Sequence, residues 1–269
     1  MRRALLVALS FAALFVAPEA VGAADAPDVR PTASSSPPVR AEQHSQPRGE
    51  AYLWGLTVPF GVVNNSLSNG FSQVPSLGAR FAVTYPAAGQ MVMVAGQFYE
   101  TAANHSARTL GDPPVLIPPG TDRYDSEDAR VGVQLPRTGL YAALSTLYLS
   151  PPEPLSTVPD LVGLGIGLEA LPDMHRSRSF FGKFYYYPNL EAEDLYNDPV
   201  TGAGLFVRYS QLSYEFGVAQ RIGGSRGFLT ASVGGDTLKK LSTLPAQFPG
   251  SAKSVLLSLG YAFRVWGGR

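Results

Sequence analysis

The sequence contains no cysteine, so disulfides and thiolate metal sites are excluded and stability has to come from the fold alone. Only three histidines occur, His44, His105 and His175, which leaves few candidates for a general base or an imidazole ligand. Neither sign of charge is in excess, since 21 basic residues face 21 acidic ones. A nucleic-acid partner wants a basic patch, and this balance argues for none. Long apolar runs are lacking as well, with one exception. Residues 4–17, ALLVALSFAALFVA, follow Arg2 and Arg3, end at Pro18, and precede Val21-Gly22-Ala23. A positive start, a 14-residue apolar stretch and a small-residue cleavage site read as a secretory signal over 1–23. The stretch is short for a membrane helix, which needs ~20 apolar residues. No cysteine follows the site to carry a lipoprotein anchor. Losing Arg2, Arg3 and Glu19 leaves 19 basic and 20 acidic residues in the mature chain. No second apolar run exists for a helical membrane span.

Residues 24–50 are rich in Pro, Ser, Ala and charge and contain no aromatic residue. Such a segment buries too little apolar surface to offset its ordering entropy, so a disordered periplasmic leader is expected there. From Ala51 the texture changes. Short runs of alternating hydrophobicity follow one another, separated by Gly, Pro, Asn and Asp clusters, which is a strand signature. Ten strands are predicted, over 51–63, 77–85, 90–100, 127–135, 139–149, 161–170, 178–187, 202–221, 227–237 and 254–265. Their connections alternate in length. Residues 86–89, 136–138, 171–177 and 222–226 are short, whereas 64–76, 101–126, 150–160, 188–201 and 238–253 are long. Short periplasmic turns alternating with long outer loops suit an outer-membrane barrel, and ten strands return both termini to the short-turn side. In 202–221 the apolar phase jumps between Tyr209 and Leu212, which predicts a β-bulge within one long strand. A hairpin there, or a strand missed in a loop, would raise the count, with twelve as the alternative.

The alternation assigns two faces. Val162, Leu164, Ile166 and Leu168 oppose Gly163, Gly165, Gly167 and Glu169, and Val255 to Val265 alternate in the same way with Ser254 to Arg264. Residues 140–149 are apolar on both faces; elsewhere the apolar face is expected to carry no charge. The other face is mostly Gly, Ser, Ala and Thr, with Arg80, Asp128, Arg130, Glu169, Lys183, Arg208, Glu215, Arg221, Asp236 and Arg264 as expected lumen charges. Small residues mixed with balanced charges suit a narrow lumen. A Lys or Arg facing the bilayer midplane costs ~2–4 kcal/mol, so the uncharged face belongs outside. Aromatic girdles are expected from Tyr52, Trp54, Tyr85, Phe180, Phe228, Phe263 and Trp266 at the short-turn end. Phe60, Phe98, Tyr99, Tyr148, Tyr186 and Tyr187 would form the other.

The last strand, SVLLSLGYAFRV, resembles the closing strand of bacterial outer-membrane barrel proteins, which the barrel-assembly machinery recognises. Typical members end on an aromatic residue, and this chain runs on through Trp266 to Gly267-Gly268-Arg269. The resemblance covers 51–269, is architectural, and implies an antiparallel up-and-down transmembrane β-barrel of about ten strands. Asp173-x-His175 resembles the Asp-x-His element of omptin proteases, but it falls in a short turn with no acidic pair to complete it. His105 beside Ser106 is similar to the Ser–His pair of lipid A deacylases, yet adjacent strand residues point to opposite faces. The acidic segment 189–198 could gather oxygens for Ca²⁺ but lacks a loop spacing for it. A second acidic stretch, Asp112 to Asp128, reads the same way. Neither catalytic, cofactor nor metal residues are therefore assigned. The expectation is an exported outer-membrane barrel, not an enzyme, of structural, adhesive or narrow small-solute channel type. Its partners would be the bilayer, the assembly machinery and a small solute. An outer-membrane hydrolase acting on lipid or peptide, and a secreted lipocalin-like barrel with its apolar face inward around a small ligand, are the alternatives.

Overall fold

The computed structural model describes residues 50–65, 74–105, 108–110, 115–117, 120–150, 160–192, 196–197, 204–223, 227–241 and 251–267. Residues 1–23 and nearly all of 24–50 lie outside the described residues. Among the described residues all regular elements are strands. In chain order they are β1 (Glu50–Asn65), β2 (Val74–Ala87), β3 (Gln90–His105), β4 (Arg108–Leu110), β5 (Val115–Ile117), β6 (Gly120–Gln134) and β7 (Leu140–Ser150). They continue as β8 (Leu161–Ala170), β9 (Arg178–Ala192), β10 (Tyr196–Asn197), β11 (Gly204–Leu205), β12 (Arg208–Arg221), β13 (Gly227–Lys240) and β14 (Ser251–Gly267).

Ten of these strands close into one antiparallel barrel in the order β1-β14-β13-β12-β9-β8-β7-β6-β3-β2, with β1 pairing both β14 and β2. The remaining four form two small hairpins, β4–β5 and β10–β11. The β4–β5 hairpin lies in 101–126 and β10 in 188–201, which sequence alone reads as long loops, whereas β11 takes up the start of the predicted strand 202–221. Ladder pairing reaches from His105↔Gly120 inward, so the β3–β6 connection is largely an extension of the barrel wall. Local chemistry explains the short turns. The β2–β3 connection turns through Ala88 and Gly89, both at positive φ (48° and 78°), as a two-residue hairpin requires. At β6–β7 the Thr138 hydroxyl donates to the Leu135 carbonyl (2.9 Å) and accepts from the Leu140 N–H (3.1 Å), tying the turn.

Burial follows strand parity. In β8 Leu164 and Ile166 are exposed while Gly165 and Glu169 are buried. Among the described residues, highly exposed apolar side chains include Phe180 (76%), Leu164 (69%), Leu144 (66%) and Phe216 (62%), on four different strands. The apolar face is thus the outer wall, and the inward arrangement of a lipocalin-like barrel is not adopted. Burying a Leu or Phe side chain stabilises by about 1.5–3 kcal/mol. Ten such residues left half-exposed to water would forfeit on the order of 10 kcal/mol, comparable with the whole stability of an ordinary domain.

Two local expectations need correction. The extra residue predicted within 202–221 sits on the neighbouring strand. Against both β8 and β12, β9 carries one additional residue around Pro188, which has no N–H to give to the ladder. Tyr209 and Gln211 are both buried, so β12 keeps its geometric phase and its apolar residues change sides. The outer wall is also not free of charge: Glu127 has the outward parity of Val131 and Val133, in register with Tyr148 and Phe98.

Candidate functional site: the barrel interior and its mouths

Side chains of eight strands meet inside the barrel. Arg80 on β2 pairs with Glu215 on β12 (2.7 Å), which lies four strands away in the barrel order. Arg80 also donates to the Tyr99 hydroxyl, and its guanidinium stands 5.3 Å from the Tyr99 ring centroid. Glu215 accepts a second hydrogen bond from Ser232 Oγ (2.6 Å). Arg130 on β6 pairs with Glu169 on β8 (3.0 Å) and lies 3.0 Å from Asp128, the latter an ion pair without hydrogen-bond alignment. The second oxygen of Glu169 accepts from Tyr185 (2.8 Å). Lys183 on β9 reaches across to Gln97 on β3 (2.6 Å) and to Asp128 (3.5 Å). Tyr187 and Ser145 share a hydrogen bond at 2.8 Å. Three cations and three carboxylates thus neutralise one another in a buried layer spanning the barrel. The cavity left among Arg80, Arg130, Glu169, Lys183 and Glu215 is about 10 Å³. That is room for one water at most.

On the loop side of this layer Leu149, Leu161, Leu190 and Val207 are fully buried, and Leu147, Tyr209 and Ala192 pack with them. The outward parity of β7 belongs to Leu140, Leu144 and Tyr148, which sends Leu147 and Leu149 inside. That is why 140–149 reads as apolar on both faces. At the other end, residues 171–177 fold back over the short-turn mouth. Pro172 and Met174 are buried there. Arg221 on β12 donates to the Met174 and His175 carbonyls (2.8 and 3.2 Å). Arg264 on β14 approaches His175 Nε2 (3.4 Å) from across the opening. Asp173 caps the turn by accepting from the His175 N–H (2.9 Å) and pairs with Arg176 (2.9 Å).

The ten expected lumen charges therefore divide. Arg80, Asp128, Arg130, Glu169, Lys183 and Glu215 form the buried layer. Asp236 is half-buried and accepts from Gln211 (3.0 Å). Arg221 and Arg264 serve the short-turn mouth. Arg208 is on the exposed outside, bonded to Glu191 (2.8 Å) and 5.6 Å from the Phe206 ring, so it is not a lumen charge. That pair also takes Glu191 out of the acidic segment considered for Ca²⁺. No group of three or more metal-binding side chains occurs among the described residues. His105 lies in β3; Ser106 lies outside the described residues. Of the expected girdle, Phe180 and Tyr186 face outward, whereas Tyr99, Tyr187 and Phe228 are buried inside. The side chains of Tyr52, Trp54, Phe60 and Trp266 lie outside those described. Sequence reasoning missed Gln97 and the inward tyrosines as partners of the charges. Their signal was parity: Gln97 shares that of Tyr99, and Tyr185 and Tyr187 share that of Lys183.

No family model and no curated protein matches the chain. Solved structures resemble it, among them the following three. Neisserial surface protein A aligns at 12% identity and TM-score 0.30, covering 79% of this chain and 96% of that one. Ail, the attachment invasion locus protein of Yersinia pestis, solved with the heparin analogue sucrose octasulfate, aligns at 11% identity and TM-score 0.29. It covers 80% of this chain and 99% of its own. TbuX, the toluene transporter of Ralstonia pickettii, aligns at 10% identity and TM-score 0.30, covering 81% and 90%.

Proposed function

We propose that the chain is an exported outer-membrane β-barrel of structural or adhesive type whose interior is closed to solutes. Residues 1–23 direct export and are removed, 24–50 form a periplasmic leader, and 51–269 are inserted by the barrel-assembly machinery. The reading is supported by one inversion: apolar side chains such as Leu164, Ile166 and Phe216 face out, while Arg80–Glu215 and Lys183–Gln97 meet across the middle. A water-soluble barrel has the opposite arrangement, and an open pore leaves its lining charges wet. Barrels with aqueous channels are typically ~16–18 strands, and ten strands leave a lumen that side chains can fill. The surface left for partners is then the long-loop end, where the β4–β5 and β10–β11 hairpins stand.

Conductance across planar bilayers tests the closed interior. Heat-modifiable protein inserted from detergent is expected to give no discrete steps. Reproducible steps would overturn closure and leave the narrow-channel form of the barrel.

A further inference from the structure

Among the described residues, the outer wall carries a basic rim that the closed interior does not use. On β13 the outward residues run Leu229, Val233, Thr237 and Lys239. On β14 they run Leu259, Leu257, Val255 and Lys253. Each row ends in a lysine, on β13 after Thr237 and on β14 directly after Val255, and Lys239 and Lys253 are both exposed. The register sets Lys253 opposite Thr237 and Lys239 opposite Ser251, so the two lysines are diagonal neighbours about 7–8 Å apart at the backbone. Their other ladder partners are Ser210 on β12 and Asn64 on β1, again neutral. The nearby cation Arg208 is occupied by Glu191 (2.8 Å). Two ammonium groups therefore stand together among hydroxyl and amide residues, at the loop-side edge of an apolar wall.

We propose that this rim binds the phosphorylated headgroup of an anionic lipid. The acyl chains would lie along Val233, Val255, Leu257 and Leu259, and the phosphate would be gripped by Lys239 and Lys253. This rests on the outer-membrane reading above, which puts the loop-side rim at the headgroup level. Paired ammoniums over apolar wall match an amphiphile whose charge and chains are joined, which neither a neutral lipid nor a free anion supplies.

The test uses the whole mature chain folded in neutral detergent, mixed micelles containing phosphatidic acid or phosphatidylcholine, and native mass spectrometry of the lipid retained. Wild type is expected to retain phosphatidic acid at least about tenfold over phosphatidylcholine. The K239Q/K253Q variant should lose about twenty-five-fold, since each lysine near a charged lipid surface contributes about fivefold. K239R/K253R should retain it. Excess inorganic phosphate should leave the lipid bound. Equal retention of the two lipids, unchanged retention by K239Q/K253Q, or displacement by inorganic phosphate alone would overturn the proposal. Gel mobility with and without boiling separates the failures. A wild type without a heat shift fails as a membrane barrel, and this proposal fails with it. A wild type with the shift but without lipid selectivity fails here alone.

Discussion

At the scale of single residues, the interior depends on charges that have no water to fall back on. Arg80 and Glu215 are both buried and paired across the lumen. Removing one partner of such a pair typically costs about 3–5 kcal/mol, because the other is left as an uncompensated buried charge. Arg80→Met should therefore lower stability by about that amount in urea titrations of the folded barrel in detergent. Arg80→Met combined with Glu215→Met should recover most of the loss, since replacing both charges by apolar groups is often neutral. A double variant as unstable as the single one would show that the pair is not the unit that matters. These charges were legible in the sequence because they fall on one parity, against Gly, Ser and Ala. Arg208 was misread because Val207 and Tyr209 face inward and β12 keeps its phase, the extra residue lying on the adjacent strand around Pro188. Strand pairing is long-range information that a window of residues does not hold.

At the scale of elements, shape complementarity between strands decides what each can carry. A side chain at Gly165 would place its Cβ 2.5 Å from the Tyr187 ring, and one at Gly167 would stand 2.2 Å from the Phe184 carbonyl. The glycine row of β8 is thus the space into which the tyrosines of β9 fit. Gly165→Val should destabilise the barrel by about 1–3 kcal/mol through overpacking, read as a lower urea midpoint. In the β2–β3 turn, Ala88 holds φ at 48°, a conformation that disfavours a Cβ. Ala88→Gly should stabilise by about 0.5–1 kcal/mol, the relief of that strain less the greater entropy of an unfolded glycine. At the short-turn mouth, Arg221→Met removes the donors that hold the Met174 and His175 carbonyls. Residues 171–177 should then be nicked faster in limited proteolysis, with the barrel fragments otherwise intact. The sequence marked this segment as a short turn with an Asp-x-His pair. It held no sign that the turn folds inward, because Arg221 and Arg264 come from strands far along the chain.

At the scale of the whole molecule, the strand count and closure followed from the rhythm of turns and alternation. That rhythm is local and survives in any single strand. The packing inside is set by which strands face one another across the barrel. The pairing of Lys183 with Gln97, 86 positions apart, has no local signature. The same holds for the apolar plug of Leu149, Leu161, Leu190 and Val207. Closure by side chains meeting in the middle makes the barrel wall, its exposed apolar residues and its loop-side hairpins the parts left to act on other molecules.

The central claim is that the apolar wall faces lipid. The chain has no cysteine, so single cysteines can be introduced and spin-labelled without background. Labels at Leu164, Ile166 and Phe216, with one at Asp173 as an aqueous reference, would be compared in reconstituted vesicles for relaxation by oxygen and by a water-soluble nickel complex. The account predicts that the three wall labels respond to oxygen and are shielded from nickel, while Asp173 responds to nickel. Wall labels as open to nickel as Asp173 would contradict it.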